Sequence, residues 1–199
     1  MNADQRDNTL RHAVTSAIYT VVTVIAFGLI YPLVIWGIAA VAFPHQAAGS
    51  LIDAGGKTIG SELVGQIFKS PRYFHGRPSA AGNGYDPTQT GGTNFGPSSK
   101  KLIDATRATI AALRKDNPDA GMPIPMDLVT SSASGIDPDI SPEGAQYQAA
   151  RVAKARGMSI DAVRALIAAQ VIPRQFGIFG EPRVNVLDLN RALDAHPGA

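Results

Sequence analysis

Three sets of residues in this chain of 199 could do chemistry. Ser132 or Ser134, His75 and Asp137 supply the types of a serine hydrolase, in which an imidazole oriented by a carboxylate takes the hydroxyl proton. The G-x-S-x-G elbow that presents such a serine is missing, and no clear strand precedes these serines. Thr130 to Ser134 reads equally as a polar turn whose hydroxyls bond nearby backbone. Arg72 and Arg77 flank Tyr73-Phe74, where they could clamp a carboxylate or stack on the rings; solvated surface arginines are the plainer alternative. Gly56-Lys57-Thr58 resembles the end of a phosphate-binding loop, but that loop needs Gly where Leu51 stands and a long helix afterwards. His12, His45, His75 and His196 have no ligand spacing, and without cysteine there is neither a thiolate metal centre nor a disulfide framework.

These residues must be positioned by what surrounds the longest uncharged stretch, Ala13 to Pro44. Its apolar middle, Ala17 to Phe43, makes a helix of about 40 Å, enough to span a bilayer. It is too long for a signal-peptide core, despite the Ala40-Val41-Ala42 tripeptide, so a retained anchor is expected. Arg6, Arg11 and the amino terminus precede it and only Lys57 follows closely, which places the N-terminus in the cytoplasm and the remainder outside. Ser16, Thr20 and Thr23 share one helix face, where they could bond a neighbouring helix or their own carbonyls one turn back. Pro32 should kink the helix against Gly28, and Trp36 marks the approach to the headgroups. The organisation is then a leader (1–12), a transmembrane helix (13–44) in contact with the lipid bilayer and one extracytoplasmic domain (45–199). A net charge of +2 without a basic, aromatic-studded run excludes a nucleic-acid surface.

The domain reads as α+β, with a small sheet and about four helices. Gly55-Gly56 sits between two short apolar runs as a hairpin turn. Leu63 to Phe68 is a short strand or helix turn. Pro71 to Ser99, rich in Gly and Pro yet carrying Tyr73, Phe74, Tyr85 and Phe95, reads as an ordered, irregular, functional loop. A helix follows from Lys100 to about Lys115, capped by Ser98 or Ser99, with Leu102, Ile103, Thr106, Ile110 and Leu113 near one stripe. Ser141-Pro142-Glu143 opens a second helix that ends near Arg156 and Gly157. A third runs from Ser159 to about Gln170. Val171 to Phe179 is expected to be extended, and Asn185 caps a last helix that buries Val186, Leu187, Leu189 and Leu193.

Tyr31-Pro32, Gly65-Gln66, Tyr73-Phe74-His75-Gly76-Arg77-Pro78-Ser79-Ala80, Gly91-Gly92-Thr93-Asn94, Val129-Thr130-Ser131 through Gly135, Asp137-Pro138, Ile140-Ser141-Pro142, Arg151-Val152-Ala153-Lys154-Ala155-Arg156 and Gly180-Glu181-Pro182-Arg183-Val184-Asn185-Val186-Leu187 together resemble the C-subunit (KdpC) family of the bacterial Kdp potassium-transporting P-type ATPase. Thr93 stands where Ser is expected and Asp139 where His is common. The resemblance implies a non-catalytic accessory subunit of a high-affinity potassium import pump in the bacterial inner membrane. Its implied partners are a channel-like potassium-binding subunit, a P-type ATP-hydrolysing subunit and a small stabilising subunit. ATP and potassium would act in the complex, with no cofactor expected on this chain itself; family members are described as catalytic chaperones that raise the ATP affinity of the hydrolysing subunit in a transient complex with nucleotide. An extracytoplasmic domain cannot touch cytosolic ATP, so such an effect would pass through the membrane parts. Tyr73, Phe74, His75, Arg77, Tyr85, Asn94 and Phe95 are the expected partner contacts. Ser16, Thr20, Thr23, Gly28 and Pro32 are the expected packing residues of the span. A membrane-anchored periplasmic hydrolase using Ser134, His75 and Asp137 is the alternative.

Overall fold

A computed structural model of the protein describes residues 3–196. The outermost residues of the expected leader and domain, and the side chain of Arg6, lie outside the described residues. The chain divides into two compact units after Leu51.

The first unit is helical: α1 (Ala3–Thr23), a π turn (Val24–Ile30), α2 (Tyr31–Ala42) and the short α3 (Pro44–Ala47). Asn8–Ala42 is long and apolar enough to cross a membrane, and its apolar window is not buried within the structure. The irregularity expected at Gly28 and Pro32 takes the form of the π turn, in which the Tyr31 N–H donates to Ala26 O. Pro32 has no N–H to give, and a wider turn before it relieves the crowding of its ring on the preceding carbonyls.

The hairpin β1 (Leu51–Ala54) and β2 (Lys57–Ser61), from Ile52 onward, opens the second unit. Gly55 and Gly56 have φ of 59° and 78°, the successive left-handed residues that a tight hairpin turn demands. Leu63 to Phe68 is neither strand nor helix. The Gly65 N–H goes instead to Ile136 O at 2.8 Å, so this segment pairs with a loop rather than a sheet.

After the Gly- and Pro-rich stretch come α4 (Lys100–Asp116), a 3-10 turn (Met126–Leu128), β3 (Asp139–Ile140), α5 (Pro142–Arg156), α6 (Ile160–Ala169), β4 (Val171–Ile172), β5 (Arg183–Asn185) and α7 (Val186–Asp194). The strands form an antiparallel sheet in the order β3-β5-β4, with Ile140 and Val171 each opposite Val184. Local chemistry sets the helix ends. Ser141 Oγ accepts from the Gly144 N–H at 2.8 Å, and Gly157 closes α5 in the left-handed conformation. Asn185 Oδ1 accepts from the N–H groups of Leu187 and Asp188, while its Nδ2 donates to Glu62 O at 2.8 Å. Ser99 is at the start of α4 but its side chain makes no capping bond. On α4, Leu102, Thr106, Ile110 and Leu113 are half-buried and Ile103 is exposed.

The core gathers Ile140, Val152, Val163, Ile167, Val184, Leu189 and Leu193 from the sheet and from α5, α6 and α7. Val186, Leu187, Leu189 and Leu193 are buried, in line with the amphipathic pattern. Only Val171 and Ile172 of the expected extended run pair as a strand. Gln175 and Phe179 then bridge each other across a turn, because Gly177, at φ 75°, bends the chain back.

Candidate functional site

The family motif around Tyr73-Phe74-His75 lies where α5 and α7 present polar side chains to a segment without strand partners. The Phe74 N–H donates to Asn190 Oδ1 at 2.8 Å, and Asn190 Nδ2 donates to Phe74 O at 3.0 Å. One residue on, the His75 N–H donates to Gln148 Oε1 at 2.8 Å, and Gln148 Nε2 donates to His75 O at 3.0 Å. Successive residues of an extended chain face opposite ways, so α7 reads one and α5 the next. Two arginines of α5 complete the cradle. Arg151 Nη1 donates to Pro71 O at 2.7 Å and Tyr73 O at 3.0 Å, and Arg156 Nε donates to Arg72 O at 2.7 Å. Every carbonyl from residue 71 to 75 thus accepts from a side chain of α5 or α7.

Burial at this cradle is tight. Phe74 is 0% exposed, and Gln148 and Asn190 are buried beside it. Arg156 lies 4.9 Å from the centroid of the Tyr73 ring and pairs with Asp194 at 2.7 Å, while Tyr73 Oη donates to the same carboxylate at 3.1 Å. Burial brings the Arg151 guanidinium down to about 10, which still leaves it charged at neutral pH. Burial first, then Arg151, holds His75 below its ordinary value; its bond to Ser70 O and the nearby Asp116 oppose this. Since a carbonyl can only accept, the 3.0 Å contact makes Nε2 the protonated nitrogen of neutral His75.

A second set of contacts locks the remainder of the loop. Arg77 Nη1 pairs with Asp137 at 2.7 Å, and Tyr85 Oη donates to Arg77 O at 2.7 Å. Burial, reinforced by Asp137, pushes the Tyr85 hydroxyl up to about 12. The Tyr85 ring occupies the space that Gly65 and Gly76 leave: a Cβ at Gly65 would stand 2.4 Å from the ring, and one at Gly76 2.3 Å from its hydroxyl. Ser79 Oγ donates to Gly135 O at 2.5 Å and accepts from the Tyr85 N–H. The Ser132 N–H donates to Pro78 O, and the Gly91 N–H to Ser134 O.

The hydrolase set is not assembled. Ser134 Oγ meets Ser132 Oγ at 3.2 Å and accepts from the Ile136 N–H; Asp137 is engaged by Arg77 and the Asp139 N–H; the His75 ring bonds Ser70 O. The serines are turn formers, as their local bonds require. Among the described residues no group of His, Asp and Glu could hold a metal ion. Of the expected partner contacts, Phe74 is buried in the core of the domain. Tyr73, His75, Arg77 and Tyr85 are half-buried and bonded within the domain, and Asn94 and Phe95 are exposed. The guanidinium over Tyr73 belongs to Arg156, not to Arg72 or Arg77. In the apolar helix, Thr20 Oγ1 donates to Ser16 O and Thr23 Oγ1 to Tyr19 O, so these hydroxyls are satisfied one turn back.

Gln148, Arg151, Arg156 and Asn190 escape a reading for chemistry because they look like ordinary helix polarity. Their signal is phase: they recur in step with the apolar residues of α5 and α7, so they point inward.

The family model for KdpC, the K+-transporting ATPase c chain, matches residues 13–195, from the apolar helix to the end of α7. A potassium-transporting ATPase KdpC subunit from Caulobacter vibrioides is 57% identical over 172 residues, covering 86% of each chain. One from Polynucleobacter asymbioticus is 54% identical over 180 residues, covering 90% of this chain and 95% of its own. One from Koribacter versatilis is 51% identical over 185 residues, covering 92% and 94%. With the match running through span, cradle and core alike, the chain belongs to the KdpC family.

Proposed function

We propose that the chain is a non-catalytic accessory subunit of a high-affinity, ATP-driven potassium import pump. It is anchored by one transmembrane helix, with its N-terminus in the cytoplasm and its domain outside. The observation that carries this reading is the pairing of a family match spanning helix and domain with a Tyr73–Arg77 motif whose backbone and side chains bond α5, α7 and Asp137 rather than assemble a catalytic group. Catalysis then belongs to a P-type ATP-hydrolysing partner, alongside a channel-like potassium-binding subunit and a small stabilising subunit. The span packs on the potassium-binding subunit, and the rigid domain covers that subunit's outer mouth. Of the expected contacts in the Gly-rich loop, the exposed Asn94 and Phe95 touch it. A chaperone effect on ATP affinity, on this topology, is a differential stabilisation of pump states transmitted through the membrane parts.

The test is deletion of the domain while keeping residues 1–44, in cells that express the partner subunits. Loss of stable assembly and of high-affinity potassium uptake is expected. Unchanged assembly with unchanged potassium affinity would overturn the proposal.

A further inference from the structure

Arg151 is paired unlike the other arginines held inside the domain. Arg77 and Arg156 each hold a carboxylate at 2.7 Å. Arg151, half-buried on α5, forms no ion pair among the described residues, although Asp116 is near enough to act on its charge. Four of its five N–H groups go to neutral acceptors: Nε to Asn117 Oδ1 at 3.0 Å, Nη1 to the Pro71 and Tyr73 carbonyls, and Nη2 to Gln148 Oε1 at 2.8 Å. One Nη2 N–H is left over. Neutral acceptors satisfy donors without cancelling the charge, and a half-buried charge gains from an anion beside it.

The guanidinium stands where two cavities adjoin. One, of about 280 Å³, lies along the end of α4 and α5, and the other, of about 310 Å³, lies beside the segment from Lys69 to His75; Pro71, Asp116 and Arg151 line both. Lys115 and Lys154 line the first and Lys69 the second. Lys154 is 3.8 Å from Asp119, whereas Lys69 and Lys115 have no ion-pair partner among the described residues. Asp116 and the carbonyl end of α4 oppose an anion here. The four cations outnumber the two carboxylates and leave the space positive.

His75, on the wall of the second cavity, selects the kind of anion. Its Nε2–H is given to Ser70 O, so Nδ1 of the neutral ring is an acceptor, and no described group donates to it. Sulfate and carboxylates bring only lone pairs to such an atom. An oxyanion that still carries a proton can donate to it while its other oxygens accept from the cations.

We propose that the adjoining cavities form one site for a small free oxyanion of the hydrogen phosphate kind, held by Arg151, Lys69 and Lys115 and donating its proton to a hydrogen bond with His75 Nδ1. The bound ion ties the end of α4 to α5 and to the segment from Lys69 to His75.

The experiment titrates inorganic phosphate calorimetrically into the full chain in detergent, at neutral pH and fixed ionic strength, and needs no partner subunit. One saturable site is expected, with sulfate binding about tenfold more weakly because it leaves the imidazole acceptor unpaired. The His75 ring resonances, identified by their loss in His75→Gln, should shift with phosphate. Lys69→Gln with Lys115→Gln changes only exposed side chains outside the cradle. That variant should melt as wild type does without phosphate and bind phosphate about tenfold more weakly. Absence of saturable binding, sulfate binding as tight as phosphate, unmoved His75 resonances or unchanged affinity in the double variant would each overturn the site. Binding seen only in bilayers of anionic phospholipid, and not with inorganic phosphate in detergent, would overturn it too.

Discussion

Asn190 and Gln148 do for Phe74 and His75 what a neighbouring strand does in a sheet, with side-chain amides in place of backbone. Their removal is correspondingly costly. Asn190→Ala strands a buried N–H and a buried carbonyl together, and a loss of about 3 kcal/mol in denaturant unfolding is expected. Gly65→Ala drives a Cβ to 2.6 Å from Asp137 O as well as into the Tyr85 ring. Since backbone cannot swing aside, a further loss of about 3 kcal/mol is expected in the same assay. His75 gives a pH dependence of known sign. Its value in the fold lies below the unfolded 6.5, so the unfolded chain takes up the proton first. His75 therefore contributes stability above the unfolded value, and this is lost as pH falls through the folded one. Between about pH 7.5 and about pH 5.5 wild type should lose stability more steeply than His75→Gln.

At the scale of elements, the helix ends were legible because their causes are local. Ser141-Pro142, Asn185 and Gly157 each act within a turn of where they stand. The burial of Phe74 was not legible, for the opposite reason. Aromatics in an irregular stretch signal burial or recognition alike, and only the placement of α7 beneath residue 74 shows that Phe74 belongs to the core. The hydrolase serines failed similarly, since side-chain types do not report that Asp137 is claimed by Arg77. Amide exchange should separate the two halves of this loop. The Phe74 and His75 N–H groups, bonded to buried amides, should exchange slowly despite lying outside any strand or helix, and those of Asn94 and Phe95 quickly.

For the whole molecule, the side of the membrane on which the domain lies is the deciding quantity. A reporter fused after Ala199 should be active only outside the cytoplasm, and activity only inside would reverse the proposed orientation. The apolar helix bears a second expectation. Thr20 and Thr23 already donate to Ser16 and Tyr19 carbonyls, so any contact with a neighbouring helix must use their oxygens as acceptors or rest on shape. Replacing residues 13–44 by a plain Leu/Ala helix should leave insertion intact and loosen the complex, as read by co-purification.

The cradle also has a consequence for how this loop tolerates change over generations. Because the carbonyls and N–H groups of 71–75 are what α5 and α7 bond, exposed side chains such as Arg72 could be exchanged, but the length of the segment could not. Deleting one residue between Arg72 and Phe74 would slide His75 onto the α7 amide and Gly76 onto the α5 amide, turning an imidazole toward the pocket that Phe74 fills. Variation at this motif should therefore run through substitution, with insertions and deletions confined to the exposed stretch near Phe95.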